Sequence, residues 1–437
     1  VRNKNRITLC IIPLCIAFLL IGCTNGDRPT FPDASLCVFS DPHYYDTDLG
    51  TTGSAFEDHV KQSRKLTAES EAILESLIDL ILLEEAEIVL VPGDLTKDGE
   101  RTGHLKFAAY LGQLENAGKQ VYVIPGNHDI DNPHAVRYDG GSTLPVESVS
   151  AEEFADIYGE FGFDEALYRD PHSLSYIAEP AEGFWILAMD SCLYENNTDH
   201  PVTGGRFSAE TLGWLLTRLA EGISQGKVVF GMMHHAMVEH FNGQKLYFPD
   251  YVVDDSLAVA QACARAGMHV VFTGHFHAQD VVRKGFEGGS YILDIGTGSP
   301  VTYPCPYRIV DLDSSGILTI TSRRITEIDH DTGGKPFQQY ALDFLEDGLD
   351  DIMASMLEDS GWVSPEIALE VAPHMASALI AHYAGDESAS EDTLAYIGQL
   401  KSSGSFVKQM IGSGLLAIWT DPEPADNELT VDVLNPL

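Results

Sequence analysis

Residues 121–129 read VYVIPGNHD. The apolar run from Val121 to Ile124 is stopped by Pro125-Gly126, and Asn127, His128 and Asp129 follow at once. An apolar run closed by a turn signal reads as a buried parallel strand, here with a polar triplet at its C-terminal end. In open α/β sheets that end is where ligands sit. Alone, the stretch fits an ordinary turn equally well. What decides the reading is that the same event recurs along the chain.

Residues 35–40 (SLCVFS) read as a first strand ending in Asp41-Pro42-His43, and Glu87–Val91 as a second ending in Pro92-Gly93-Asp94. Helical spacing of apolar groups over 61–86 and 102–118 separates these strands. Further on, 184–189 ends in Asp190, Val228–Met233 in His234-His235, and His269–Thr273 in Gly274-His275-Phe276-His277. Helices are expected from a Ser208 cap to Leu219 and over Ser256–Ala266. Strands alternating with helices give a layered α/β fold. Polar exits pointing one way from two groups of strands fit a two-sheet sandwich flanked by helices, in four layers α/β/β/α. The strand-like pieces 281–286, 291–295, 306–312 and 317–325 are expected to complete the edge of the second sheet. Residues 131–180 are looser, with Ser150 and Glu153 placed as a capping box. An excursion of that length is expected to form a wall of the substrate pocket.

The polar exits collect Asp41, His43, Asp94, Asn127, His128, His234, His275 and His277. Carboxylates, imidazoles and one amide carbonyl make a mixed N/O donor set suited to divalent metals. In Asp-x-His and His-x-His, residues i and i+2 of an extended chain point the same way. The set is too large for one zinc tetrahedron. It suits two ions about 3.5–4 Å apart sharing a bridge, and Asp94, alone at its strand exit, is the natural bridging carboxylate.

With 437 residues, 44% of them hydrophobic, the chain is long enough for a large domain and an appendage. The formal net charge is -40, from 26 Lys+Arg against 66 Asp+Glu, which argues against nucleic-acid binding. A site for anionic esters in such a chain needs local positive charge, which bound metals supply. Of the seven cysteines, Cys37, Cys192, Cys263 and Cys305 lie beyond the N-terminal segment without CxxC spacing, so no zinc pattern is expected and one disulfide is open. Residues 331–437 hold 19 acidic and 3 basic residues with apolar groups at helical spacing, and are expected to form a helical domain without a ligand cluster, His374 and His382 standing isolated.

Five blocks, Asp41-Pro42-His43, Gly93-Asp94, Gly126-Asn127-His128-Asp129, His234 in VVFGMMHH and Gly274-His275-Phe276-His277, occur in the order found in calcineurin-like metallophosphoesterases, and the chain resembles that superfamily over residues 37–277. The resemblance implies one metal on Asp41, His43, Asp94 and His277 and a second on Asp94, Asn127, His234 and His275, with Mn, Fe or Zn equally admissible. His235 is the less suited member of its pair. His128 would face the substrate, with Asp129 orienting its ring. Lys97 stands where a purple acid phosphatase carries tyrosine, which argues against an iron–tyrosinate centre. The text GDLTKDGE and VIPGNHDIDNP resembles bacterial lipoprotein-type cyclic nucleotide phosphodiesterases. The implied activity is hydrolysis of small phosphate diesters, 3',5'-cyclic nucleotides among them, by a metal-bridging hydroxide. A phosphomonoesterase or nucleotidase using the same site is the alternative, and a non-catalytic binding module is the third reading. His134, Tyr138 and Arg206 are further candidates for the substrate side, each equally readable as an ordinary surface residue.

At the N-terminus, Arg2, Lys4 and Arg6 precede an apolar run over 7–21, and Leu20-Ile21-Gly22-Cys23 resembles a lipobox. The expectation is a lipoprotein signal peptide over 1–22, a tether over 23–34, a catalytic domain over 35–329 and the helical domain over 330–437. The protein would then sit outside the bacterial cytoplasmic membrane, held in the lipid bilayer by acyl chains on Cys23.

Overall fold

The computed structural model describes residues 31–434; the expected signal peptide, Cys23 and most of the tether lie outside them. The first half alternates as the periodicity requires: β1 (Ala34–Val38), α1 (Ser54–Ser63), α2 (Ser70–Leu83), β2 (Ile88–Pro92), α3 (Arg101–Asn116) and β3 (Gln120–Ile124). The single helix expected over 61–86 is two, because Arg64 takes a left-handed conformation, φ 51°, and ends α1. The looser segment holds a hairpin, β4 (Val136–Asp139) and β5 (Ser142–Pro145), and α4 (Ala151–Ile157), which opens on the Ser150–Glu153 capping box.

There follow β6 (Tyr168–Arg169), β7 (Tyr176–Ala181), β8 (Phe184–Met189), α5 (Ala209–Ser224, capped by Ser208), β9 (Val228–Met233), the short turn α6 (Gln244–Tyr247), α7 (Ser256–Ala266) and β10 (Val270–Thr273). The strands β11 (Asp280–Gly285), β12 (Tyr291–Gly296), β13 (Pro306–Leu312) and β14 (Ile317–Arg324) lead into helices α8 (Phe337–Asp359), α9 (Pro365–Ala384), α10 (Glu391–Ser402) and α11 (Phe406–Ile418), and β15 (Glu428–Asp432) closes the described chain.

Two sheets result, ordered β15-β14-β13-β1-β2-β3 and β11-β12-β10-β9-β8-β7-β6. The strands that carry the polar exits run parallel within each sheet: β1, β2 and β3 in the first, β8, β9 and β10 in the second. Side chains alternate faces along a strand. On β8, Phe184, Ile186 and Ala188 join the core shared with the first sheet, while Trp185, Leu187 and Met189 pack in the core under α5 and α7. The first sheet's outer face takes Leu77, Ile78, Phe107 and Leu111 from α2 and α3. This is the expected four-layer α/β/β/α sandwich, with α8 to α11 as a separate helical bundle around a third core.

Two placements differ from expectation. Strands β13 and β14 belong to the first sheet, not the second: β13 lies antiparallel beside β1, with Leu36 opposite Val310. Alternation specifies a half-buried strand but not which of two sheets receives it. The acidic C-terminal segment is also not all helical, since β15 returns to pair with β14. The four cysteines beyond the N-terminal segment are free thiols.

The bundle is joined to the sandwich through a buried polar network. His240 Nδ1 donates to Asp280 Oδ1 at 2.7 Å, and His382 Nδ1 lies 3.4 Å from Asp280 Oδ2 and is hydrogen-bonded to Glu387. Arg308, fully buried, donates to the Gly296 carbonyl at 2.7 Å. His382 is therefore not isolated, and the helical segment is not without a ligand cluster as its reading in the sequence had it: Glu387 lies five residues on, and Asp280 arrives from β11, which linear spacing does not reveal. His374 stacks on Tyr396 with ring centroids 3.7 Å apart.

Candidate metal centre

The exits of β1, β2, β3, β9 and β10 become tight loops that aim side chains at one point between the sheets, whereas Asp190, at the exit of β8, turns away to accept from the N–H groups of Leu174 and Cys192. Asp41, His43, Asp94, His275 and His277 all have positive φ, at 55°, 40°, 50°, 70° and 61°. Non-glycine residues rarely adopt this region, and each instance costs about 1–3 kcal/mol and persists where the surroundings impose it. Here the loops hold one another: Asp41 N–H donates to the Gly93 carbonyl, His43 N–H to the Asp94 carbonyl, and His275 N–H to Asp41 Oδ2 at 2.9 Å. Two glycines permit the crowding. A Cβ on Gly126 would collide with Asp94 Oδ1, and one on Gly274 with Ser40 Oγ and Asp41 Oδ2.

Three overlapping groups result: Asp41, His43 and His277; His43, Asp94 and His128; Asp94, His234 and His275, with the donor atoms of each group within 4.8 Å of one another. His43 Nε2 lies 3.1 Å from His277 Nε2, and His277 Nε2 is 3.5 Å from Asp41 Oδ1. On the other side, His234 Nε2 lies 3.1 Å from Asn127 Oδ1. Asp94 stands between the two clusters. Its Oδ1 accepts the His128 N–H at 2.9 Å, leaving Oδ2 at 3.6 Å from His43 Nε2 and 3.4 Å from His234 Nε2. A single oxygen, rather than two, thus faces both clusters.

The donor chemistry fits two cations. Asp41 Oδ1 is buried with no hydrogen-bond partner, a costly state for a carboxylate unless a cation satisfies it. His234 Nδ1 donates to the Pro92 carbonyl at 3.0 Å and His275 Nε2 to the Asp250 carbonyl at 3.3 Å, so the other nitrogen of each is the one left for a cation; burial works against a charged His234, yet Asp94 raises it to about 9, so its Nε2 gives up a proton to bind metal. Burial pushes the imidazoles of His43, His275 and His277 below their ordinary range, towards the neutral form that binds metal. Burial alone would raise the Asp94 carboxyl, but His234 and His128 hold it well below the usual carboxylate range. His235 is fully occupied elsewhere, with Nδ1 accepting from Ser191 at 2.8 Å and Nε2 donating to the Thr203 carbonyl at 2.9 Å.

The support of His128 differs from expectation. The Asp129 carboxylate accepts from the N–H groups of Gly126, Leu95 and Thr96 and from the Thr96 hydroxyl, at 2.8, 3.1, 2.9 and 3.0 Å. It clamps the β2 and β3 exit loops together. The His128 ring is held by Asp98, whose Oδ1 lies 2.9 Å from Nδ1. Asp98 is in turn paired with buried Lys97, which also reaches Glu100 at 3.1 Å. Burial works against a charged His128, yet Asp94 and Asp98 raise it above its ordinary value. Asp98 was within reach of sequence reasoning, since it lies in the GDLTKDGE text; its distance along the chain from His128 hid the pairing.

The clusters open into a cavity of about 220 Å³. Its far wall is the helical bundle: Leu349, Ile352, Met353 and Met356 of α8, and Leu379 and Tyr383 of α9. Lys65, between α1 and α2, is the lone Lys or Arg in this lining, with Nζ 2.9 Å from His43 Nε2. Residues 131–180 contribute nothing to this lining, so they are not the expected wall. Tyr138 packs with Tyr45 and Phe56, His134 meets His200, and Arg206 pairs with Asp254. These three do not line the cavity.

The clusters are those of a dinuclear-metal hydrolase. No curated protein matches the chain in sequence. Among solved structures, it is similar to a dimetal phosphatase from Danio rerio (15% identity, TM-score 0.47, 68% of this chain and 98% of that one). It is similar also to the purple acid phosphatase PPD1 of yellow lupin (Lupinus luteus) seeds (14%, 0.42, 68% and 52%) and to the NAD nucleotidase NadN of Haemophilus influenzae (14%, 0.38, 76% and 60%). The family model for calcineurin-like phosphoesterases matches residues 34–279, from β1 through the last histidine exit and more than half of the chain. The chain belongs to the calcineurin-like phosphoesterase family.

Proposed function

We propose that the protein is a phosphodiesterase. The observation that carries this reading is the cavity: metal-ligating clusters on one side, an apolar bundle wall on the other, and Lys65 as the one lysine or arginine between them. A diester presents a monoanion and a second alcohol, which an apolar wall accommodates. A monoester presents a dianion and calls for more cationic groups around its terminal oxygens. Asp41, His43, Asp94 and His277 would hold one ion, and Asp94, Asn127, His234 and His275 the other. When bound, the ions supply Lewis-acid charge for the phosphoryl oxygens and a nucleophile from water.

The chain's own residues do the rest. His128, which Asp94 and Asp98 raise against its burial, stands 4.0 Å by its Nε2 from Asp94 Oδ2 and, when protonated, donates to the phosphoryl or leaving oxygen. Lys65, whose charge burial disfavours and Asp94 and Asp98 favour, would reach a non-bridging oxygen once a metal takes its place at His43. The Tyr251 and Phe276 rings, both lining the cavity, offer faces for a nucleobase, which supports 3',5'-cyclic nucleotides as small substrates.

The test is a panel of aryl diesters, aryl monoesters and 3',5'-cyclic nucleotides with manganese-loaded protein. The expected result is higher kcat/KM for diesters; a preference for monoesters would replace the reading with a phosphomonoesterase. His128→Ala is expected to retain the metals and lose about 10²–10⁴ in turnover. Loss of metal instead would make His128 a ligand. Asp98→Asn is expected to cost about 10–100-fold in turnover by freeing the His128 ring, with the pH profile of kcat shifted to lower pH as the imidazolium loses its anionic partner.

The Leu20-Ile21-Gly22-Cys23 text supports a further proposal, that the protein is lipidated on Cys23 and anchored outside the bacterial cytoplasmic membrane. Cys23→Ser is expected to move the protein from the detergent phase to the aqueous phase; unchanged partitioning would contradict the anchor.

A further inference from the structure

A second apolar cavity, of about 240 Å³, lies between α6 and helices α8 and α11 of the bundle. Its floor is bundle core: Leu357, Ile411, Leu415 and Ile418. Its rim is exposed: Leu246 is 67% and Trp362 44% accessible. The lining contains no charged side chain, and the hydroxyl of Tyr247 is engaged by the Met410 carbonyl at 3.1 Å. A groove of this kind selects an apolar occupant, because a charged or polar one would leave its hydration unreplaced.

The groove adjoins the metal cavity. Phe248 and Met356 line both. Phe248 is fixed at the junction by Phe276, with ring centroids 5.3 Å apart, and Phe276 follows the His275 exit directly. A chain leaving a phosphate at the metal clusters for the groove would pass Phe248 and Met356, the two apolar side chains that both cavities share. Tyr247 closes one side by packing on α11 where Gly414 leaves room; a Cβ there would meet its ring at 2.9 Å.

We infer that the groove is a subsite for a long apolar alcohol of the substrate, so that the enzyme takes phosphate diesters of the alkyl or acyl-chain class as well as small ones. This rests on the phosphodiesterase reading and adds a substrate class to it. The phosphate stays at the clusters and the chain lies in the groove.

The experiment uses the metal-loaded full chain and 4-nitrophenyl alkyl phosphates from methyl to octyl, below their micelle concentrations. All carry the same charge and the same leaving group. The expected result is a kcat/KM that rises by roughly two- to fourfold per methylene over the first members, and by at least about tenfold from methyl to octyl. Leu246→Glu and Trp362→Glu, both at exposed positions, place a carboxylate on the rim and are each expected to flatten the rise. Titration of metal-free protein with octyl and methyl phosphate reads the groove apart from catalysis, with octyl phosphate binding at least about tenfold more tightly. Hydrolysis of the methyl ester with no gain along the series would overturn the subsite. So would a gain that survives both variants, which would put the chain elsewhere. No hydrolysis of any member, with octyl phosphate still bound preferentially, would overturn the phosphodiesterase reading and leave the subsite standing.

Discussion

Asp94→Asn is expected to cost the centre at least one of its two metals and about a thousandfold in turnover. The carboxylate is 2% exposed and stands between the two clusters, with Oδ1 anchored by the His128 N–H and Oδ2 within 3.6 Å of a histidine nitrogen on each side. An asparagine keeps the shape and one carbonyl oxygen but removes the charge that makes a shared ligand. Its amide nitrogen also cannot accept the His128 N–H if the carbonyl turns towards the clusters. The expected metal content falls from two ions to one or fewer per chain. Bound metals stabilise transition-state charge by several kcal/mol, and at 1.36 kcal/mol per decade this is about a thousandfold in turnover. Metal analysis and diester hydrolysis on the same preparation check both parts. Two ions retained with full turnover would remove Asp94 from the bridging position.

Asp129→Ala is expected to act on folding rather than on the chemical step. The carboxylate is fully buried and accepts from three backbone N–H groups and one hydroxyl, binding the β2 and β3 exits to each other. Truncation leaves these buried donors unsatisfied at about 1–3 kcal/mol each. Allowing for relaxation of the loops and entry of water, a loss of about 3–5 kcal/mol is expected. The urea midpoint measures it, with m unchanged. Asp129→Asn keeps one accepting oxygen and should lose less. A variant with unchanged stability and lost turnover would return Asp129 to the role of orienting His128 and contradict the clamp.

The difference between Asp129 and Asp98 shows what the sequence could carry. The strand exits were legible because apolar runs end in Gly or Pro with polar groups beyond, and that pattern needs neighbours in the chain alone. From it follow the layered fold and the gathering of Asp41, Asp94, Asn127, His234, His275 and His277 at one place. The partner of His128 was not legible. Asp129 is adjacent in sequence, but its side chain turns back into its own loop, while Asp98 arrives from the segment before α3. The same limit hid the Asp280–His382–Glu387 network and the assignment of β13 and β14 to the first sheet. Each depends on which distant segment packs where, and a half-buried strand or a single histidine looks alike in either setting.

The cavity wall was hidden for another reason. Met356, Leu349 and Ile352 recur at helical spacing, and in the sequence they are indistinguishable from core residues of a bundle. In the structure some of that face turns to the metal cavity and some to the groove beside it. Residues 131–180 were the more conspicuous candidates for a wall, being rich in glycine and aromatics. They fold instead into a hairpin, a short helix and the edge strands β6 and β7, none of which lines the cavity, with Tyr138 buried against Tyr45 and Phe56. A helical appendage therefore shapes the substrate side, while the sandwich supplies the donor set.

Two ions are expected to share Asp94. Diffraction from crystals soaked in manganese, measured at the manganese absorption edge, tests it most directly. Two anomalous peaks are expected on opposite sides of Asp94 Oδ2, one beside His43 and His277 and the other beside Asn127, His234 and His275. A single peak, or two peaks of which only one touches Asp94, would contradict it.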